Sequence, residues 1–273
     1  MARKAGRRPP LSFVLATTAA VVLLFMAGVW LLSLRLRDAS IADVFWGPGF
    51  ALVAIVSAAI STPSARGVLL AALASLWGLR LALHIGSRWR KKKEEDRRYQ
   101  AMRANWGERF PLVSLLTVFL LQGVLLWTVS LPLQAGAALG ASRPLGIQDL
   151  AGVLLFAVGL GFEAVGDAQL ARFLRDPASR GRVMESGLWR YTRHPNYFGD
   201  ALLWWGLGLV GAATGAWWCL AGPALMTFLL VRVSGVSMLE KDIAGRRPEY
   251  VAYIRRTSAF LPLPPSRATG MAP

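Results

Sequence analysis

One cysteine and two histidines are all that this 273-residue chain offers to a disulfide or a metal. Cys219 stands in an apolar run with no second thiol to pair with, which excludes an intrachain disulfide framework and a cysteine-based metal site. His84 and His194 are far apart, the carboxylates around them are scattered, and no metal is expected. Acidic residues are scarce too: 15 Asp and Glu face 31 Lys and Arg, a formal net charge of +16. Glycine is plentiful, yet no GxGxxG turn links a strand to a helix, so a Rossmann domain is excluded and any nucleotide must be held by helices.

What the chain has in excess is apolar side chain. Hydrophobic residues make up 55%, the mean hydropathy is +0.44, and charged residues reach only 17%, so the charge is gathered into a few basic segments. Such segments meet lipid headgroups or anionic ligands, and no nucleic-acid partner is expected. A spanning helix needs about 20 mainly apolar residues. Seven stretches qualify: 11–34, 41–60, 66–86, 111–134, 147–170, 197–214 and 216–236, the last two joined as a hairpin. The first is long for a signal-peptide core and is read as a span. The expectation is an all-α polytopic membrane protein forming one helical domain over 1–273. It has a basic tail at 1–10, a core at 41–265 and a disordered tail at 266–273.

Orientation follows from counting Lys and Arg beside the spans. One side collects 23 and the other six, with Arg80 and Arg232 inside spans. The richer side is cytoplasmic by the positive-inside rule, which puts the N-terminus outside and the C-terminus inside. The N-terminal cluster Arg3, Lys4, Arg7 and Arg8 runs against this locally.

Ionisable residues at membrane depth are costly and mark function by default. In this topology Asp43, Arg80, His84, Glu163, Asp167, His194, Asn196, Asp200, Arg232 and Glu240 all fall near the cytoplasmic face, which predicts one polar cavity. Helical spacing sorts them into stripes: Arg80, His84 and Arg88; Glu163 and Asp167; Asn196 and Asp200. Snorkelling or salt-bridged interface residues are the bland alternative for each. Pro195 predicts a helix start, whose free N–H groups attract anions. Arg172, Arg175, Arg190 and Arg193 are the guanidinium groups suited to phosphate. Most tryptophans read as interface belt; Trp46 and Trp77, beside Asp43 and Arg80, are candidates for contact with substrate.

The motifs Asp43-Val-Phe-Trp-Gly, Leu76-Trp-Gly-Leu-Arg-Leu, Glu95-Asp-Arg-Arg-Tyr99, Leu121-Gln-Gly, Gly161-Phe-Glu and Asp167-Ala-Gln-Leu occur in order. Gly187-Leu-Trp-Arg-Tyr-Thr-Arg-His-Pro-Asn-Tyr-Phe-Gly, Ser234-Gly-Val and Arg256-Thr-Ser-Ala-Phe-Leu-Pro follow them. From about Ile41 to Pro265 this series resembles the steroid 5-alpha-reductase-like family, specifically its bacterial branch known as a domain of unknown function, DUF1295. The resemblance implies a seven-helix reductase of the bacterial inner membrane. NADPH would sit on the cytoplasmic side, and hydride would pass to an activated carbon–carbon double bond of a steroid or isoprenoid-like lipid.

By position it implies cofactor contacts at Arg80, Arg88, Glu163, Asp167, Asn196 and Asp200. Arg172, Arg175, Arg193, His194, Tyr197 and Glu240 complete the expected cofactor set, and Trp46, Trp77 and Gln122 are the expected substrate contacts. Asp200 stands where the steroid enzymes usually carry Glu. Their carbonyl-polarising Gln-Glu pair has no counterpart in the second span, and Trp77 stands where their tyrosine would align.

Conjugate reduction builds charge on a carbonyl oxygen, which a donor must stabilise. Asp43, protonated by burial, is the expected donor, with Tyr99 in reserve. Two other readings stay open. Isoprenylcysteine carboxyl methyltransferases, which bind S-adenosylmethionine, share the Arg-His-Pro-x-Tyr segment, and a non-catalytic lipid-binding protein would use the same charges on a headgroup.

Overall fold

The computed structural model describes residues 9–92, 94–233 and 248–266, and among these it contains helices and no strand. The helices are α1 (Leu11–Leu36), α2 (Ile41–Ile60), α3 (Ala65–Lys91), α4 (Arg97–Trp106), α5 (Phe110–Ser114), α6 (Leu121–Val129), α7 (Leu131–Leu139), α8 (Ile147–Arg175), α9 (Pro195–Ala212), α10 (Ala221–Phe228) and α11 (Pro248–Arg256). Five helical stretches are long and apolar enough to cross a membrane: α1, α2, α3, the run Arg97–Val129 that contains α4 to α6, and α8. The expected sixth span forms α9, 18 residues long. The expected seventh is a shorter apolar stretch, Trp217–Val233, and residues 234–236 lie outside the described residues.

Two boundaries differ from expectation for local reasons. The span expected at 66–86 continues to Lys91, because Arg88, Arg90 and Lys91 complement the negative end of the helix dipole. The span expected at 111–134 breaks near Ser130, where Pro132 opens a separate helix, α7. Arg97–Val129 itself is irregular: a π-helical turn at Leu115–Leu120 separates α5 from α6.

The chain divides into two compact units. The first holds Met1–Leu150 and Leu207–Gly222; the second holds Ala151–Gly206 and Pro223–Pro273.

In the first unit α2 and α3 pack backbone to backbone. A Cβ on Gly47 would lie 2.4 Å from the Gly78 carbonyl oxygen, and one on Gly78 would meet Gly47 at the same distance, so only glycine lets these helices approach. Phe50 and Trp77, both fully buried, stack edge-to-face at 5.5 Å beside this crossing. Between α1 and α7 the Thr18 hydroxyl donates to Gln134 Oε1 at 3.0 Å, and Gln134 Nε2 donates to the Trp127 carbonyl at 2.9 Å. Buried Gln134 is thereby satisfied on both sides of its amide.

Where α3 begins, Arg66 is 2% exposed and grips Asp149 through two bonds of 2.8 Å, from Nε and Nη2. Its remaining donors reach the carbonyls of Gly140, Arg143 and Pro144. The arginine counted from sequence as a loop charge is thus a buried clamp that joins the start of α3 to the connection between α7 and α8.

In the second unit α8 and α9 cross antiparallel on glycine. A Cβ on Gly199 would fall 2.4 Å from the Glu163 nitrogen, and one on Gly206 would fall 2.5 Å from the Gly152 oxygen. Gly166 continues the row, its Cβ position 3.3 Å from the Asn196 nitrogen. A C-terminal strap completes the unit. Arg193 N–H donates to Ser258 O at 2.9 Å, Leu263 N–H to Tyr191 O at 3.0 Å, and the Thr192 hydroxyl to Phe260 O at 2.9 Å.

Breaking the Arg66 clamp leaves an uncompensated buried charge, which costs about 3–5 kcal/mol. Asp149→Ala is expected to lower unfolding stability by that order in detergent. The double variant Arg66→Met/Asp149→Leu should recover most of the loss; equal stability of wild type and Asp149→Ala would show the pair to be idle.

Candidate functional site

Asp43 opens α2, and Tyr99 lies in the first turn of α4. The Tyr99 hydroxyl donates to Asp43 Oδ1 at 3.2 Å, and Arg98 Nη2 donates to Oδ2 at 3.0 Å. Both Asp43 oxygens therefore have a partner on α4, and the two proton-donor candidates of the sequence, Asp43 and Tyr99, stand as one hydrogen-bonded pair.

This pair belongs to a larger knot at one end of the first unit. Asp96 caps α4 by accepting from Arg98 N–H at 3.1 Å, and its own N–H donates to the Ser40 hydroxyl oxygen at 2.8 Å. Glu95 accepts from Ala39 N–H at 2.7 Å and takes a two-pronged grip from Arg103 at 2.9 and 3.0 Å. Arg103 also lies over the Phe110 ring at 4.1 Å. Trp89 Nε1 donates to Asp38 Oδ2 at 2.7 Å. The Glu95-Asp-Arg-Arg-Tyr motif thus ties the α1–α2 turn to the start of α4. The roles of Glu95, Arg98 and Arg103 escaped the sequence reading, although Asp96 ahead of a helical run is a capping signal.

The other candidates of this unit sit on α2, α3 and α6. Trp46 meets Phe50 edge-on at 5.0 Å and is partly exposed, whereas Trp77 is wholly buried and packs on Phe50. Arg80 and His84 are half-buried on α3 and Arg88 is exposed, on the expected shared stripe. Gln122 follows the π-helical turn, and its Oε1 is buried without a hydrogen-bond partner among the described residues. An unanswered carboxamide oxygen at membrane depth is costly and invites a ligand donor.

In the second unit the α8–α9 glycine row sets carboxylates against the start of α9. Glu163 and Asp167 are 3% and 8% exposed, and Asn196 Nδ2 donates to Asp167 Oδ1 at 3.2 Å. Asn196 Oδ1 is buried with no partner among the described residues. The anion expected at this helix start is therefore supplied in part by the chain itself, through Asp167. His194, 4% exposed, stacks on Tyr197 with ring planes 4° apart, and Asp200 follows one turn after Asn196.

Arg193 is 6% exposed and donates to the Ile254 carbonyl at 3.0 Å and to the Thr257 carbonyl, so these donors are committed to the strap. Arg172 and Arg175, in the last turn of α8, and Arg190 are exposed. Tyr253 donates to the Trp189 carbonyl, and burial, reinforced by Tyr250, pushes its hydroxyl pKa well above the ordinary tyrosine value. Glu240 lies outside the described residues. No group of three His, Cys, Asp or Glu suited to a metal occurs among the described residues.

Partial burial pushes the Asp96 carboxyl up, but the Arg98 backbone N–H, the Arg98 guanidinium and Lys92 outweigh it and hold the group below its ordinary 3.8. A depressed carboxylate contributes stability fully above pH 3.8, and that contribution fades as pH falls through the lower folded value. Wild type is expected to lose melting temperature below pH 3.8 more steeply than Asp96→Asn, which keeps a competent cap. Superimposable pH–melting curves would take Asp96 out of this account.

No curated protein and no solved structure matches this chain. A family model described as a protein of unknown function, DUF1295, matches residues 29–257, beginning within α1 where the resemblance read from sequence began at 41. With well over half of its length matched, the chain belongs to the DUF1295 family.

Proposed function

We propose that this chain is an integral-membrane, NADPH-dependent reductase of a carbon–carbon double bond in a steroid or isoprenoid-like lipid. The observation that carries the reading is the acceptor set at the α8–α9 crossing: buried Glu163 and Asp167 with the unanswered Asn196 Oδ1. Asn196 Oδ1, buried and without a donor among the described residues, suits a hydroxyl or amine group of a nucleotide, and the two carboxylates beside it give that corner the polarity such a group needs. Exposed Arg172, Arg175 and Arg190 suit its phosphates, a task for which Arg193 has fewer donors left. The residues present therefore fit NADPH, and the ordered motif series shared with steroid 5-alpha-reductase-like enzymes adds to this reading.

NADPH bound by these residues would supply the hydride. The chain's own part is to hold and orient, and to provide a proton. Tyr99 carries the hydrogen that reduction requires. Asp43 fixes its hydroxyl at 3.2 Å, and Arg98 fixes Asp43 in turn. Gln122 Oε1 and the exposed edge of Trp46 are the groups offered to the lipid.

The proposal includes seven spans, an outside N-terminus, a cytoplasmic C-terminus and residence in a bacterial inner membrane, on the charge count of 23 against six. A methyltransferase using S-adenosylmethionine is the second reading, favoured only by the segment Arg193-His-Pro-Asn-Tyr197.

Equilibrium binding to the detergent-purified protein separates them. Micromolar NADPH binding is expected, weakened at least tenfold by Asn196→Ala and by Asp167→Ala, with S-adenosylmethionine not bound. The reverse preference would make the chain a methyltransferase, and binding of neither would leave a lipid-binding protein. In turnover, Tyr99→Phe is expected to lower kcat at least a hundredfold, the usual scale of a general acid. Unchanged kcat would remove Tyr99 from the chemistry.

A further inference from the structure

We infer that the end of the first unit where α3 passes into α4 is a binding site for anionic phospholipid headgroups, independent of the nucleotide site. Six cations there, Arg35, Arg37, Arg90, Lys91, Arg97 and Arg109, are exposed and have no carboxylate partner among the described residues. The carboxylates close by are consumed elsewhere: Asp38 by Trp89, Asp43 and Asp96 by Arg98, and Glu95 by Arg103. Only Glu94 and Glu108 are exposed at this end among the described residues. Six unneutralised cations against two carboxylates make a local field that calls for anions.

The cations are held, not merely present. The Trp89–Asp38 bond fastens the end of α3 to the α1–α2 turn, and the Glu95 and Asp96 bonds fasten the start of α4 to the same turn. The ends of α1 and α3 and the start of α4 therefore form one fixed basic rim.

Depth identifies the partner. α3 has 27 residues, a length of about 40 Å at helical rise. Its apolar stretch from Gly67 to Gly86 fills a hydrocarbon core of about 30 Å. The remaining turn, with Arg90 and Lys91, then rises into the layer where lipid phosphates lie. Trp106, 49% exposed beside Gly107, has the amphipathic ring that settles at the same level. A phosphodiester fixed in the bilayer meets such a rim without paying again for its immobilisation, so a lipid is favoured over free phosphate.

The test uses the full chain in phosphatidylcholine nanodiscs doped with phosphatidylglycerol, and reads by native mass spectrometry which lipid stays bound. Wild type should retain phosphatidylglycerol over phosphatidylcholine roughly tenfold, falling as NaCl is raised. Arg90→Gln/Lys91→Gln/Arg97→Gln should abolish the preference, whereas Arg90→Lys/Arg97→Lys, which keeps the charge, should retain it. NADPH affinity of the triple Gln variant should match wild type, so failure of the reductase reading leaves this result standing. No lipid preference in wild type, an equal preference in the triple Gln variant, or loss in the Lys variant as well would each refute the site. So would competition by inorganic phosphate at the same concentration as lipid, or a loss of NADPH affinity with lipid preference intact.

Discussion

The grip of the Glu95–Asp96–Arg98 segment on the turn Asp38–Asp43 decides what the first unit can do. Charged groups at the edge of an apolar slab are costly unless paired, and here the pairing is done across the chain rather than along one helix. Asp96 N–H reaches Ser40, Ala39 N–H reaches Glu95, and Arg98 reaches Asp43. Each bond draws on backbone or side chains some 55 positions apart in sequence, so the start of α4 and the start of α2 hold each other in place. Tyr99 is buried at 6% exposure because this knot carries it inward, and its hydroxyl meets Asp43 as a result. The same knot leaves Arg90, Lys91 and Arg97 exposed and in no ion pair among the described residues.

In the second unit the corresponding constraint is steric. Carboxylates on α8 reach the first turn of α9 because Gly159, Gly166, Gly199 and Gly206 place no Cβ where the two backbones come closest. An alanine at Gly199 would overlap the Glu163 backbone, and separating the helices would stretch the Asp167–Asn196 bond. In lipid, where apolar surface gains little by leaving its surroundings, such close backbone approach is a main source of helix association. Packing and site chemistry are in this unit the same feature.

Much of this was legible in the sequence, and the misses have physical causes. Long apolar runs showed α1, α2, α3 and α8, since length and hydropathy suffice where the bilayer is the solvent. Pro195 marked the start of α9, and the four-residue spacing paired Glu163 with Asp167. Hydropathy could not see the break at Ser130, which depends on Pro132 opening a new helix inside a continuous apolar run. Nor could it see Arg66, which counts as a loop charge until its partner, 83 positions later, is known. Nor could it see that Arg98 and Tyr99, 55 and 56 positions after Asp43, meet its two carboxylate oxygens.

Arg193 shows why residue type alone underdetermines role. A guanidinium beside His-Pro-Asn-Tyr suits a phosphate by every criterion of charge and geometry. Yet Arg193 is 6% exposed, its backbone N–H meets Ser258, and its side chain meets the carbonyls of Ile254 and Thr257. Those carbonyls close α11 and the turn after it, where helical partners run out, so the cation satisfies acceptors that would otherwise be buried without donors. A group spent in this way holds in place the backbone that leads into His194 and Asn196. Arg172, Arg175 and Arg190, by contrast, are exposed. That difference in accessibility is a property of the fold that no motif carries.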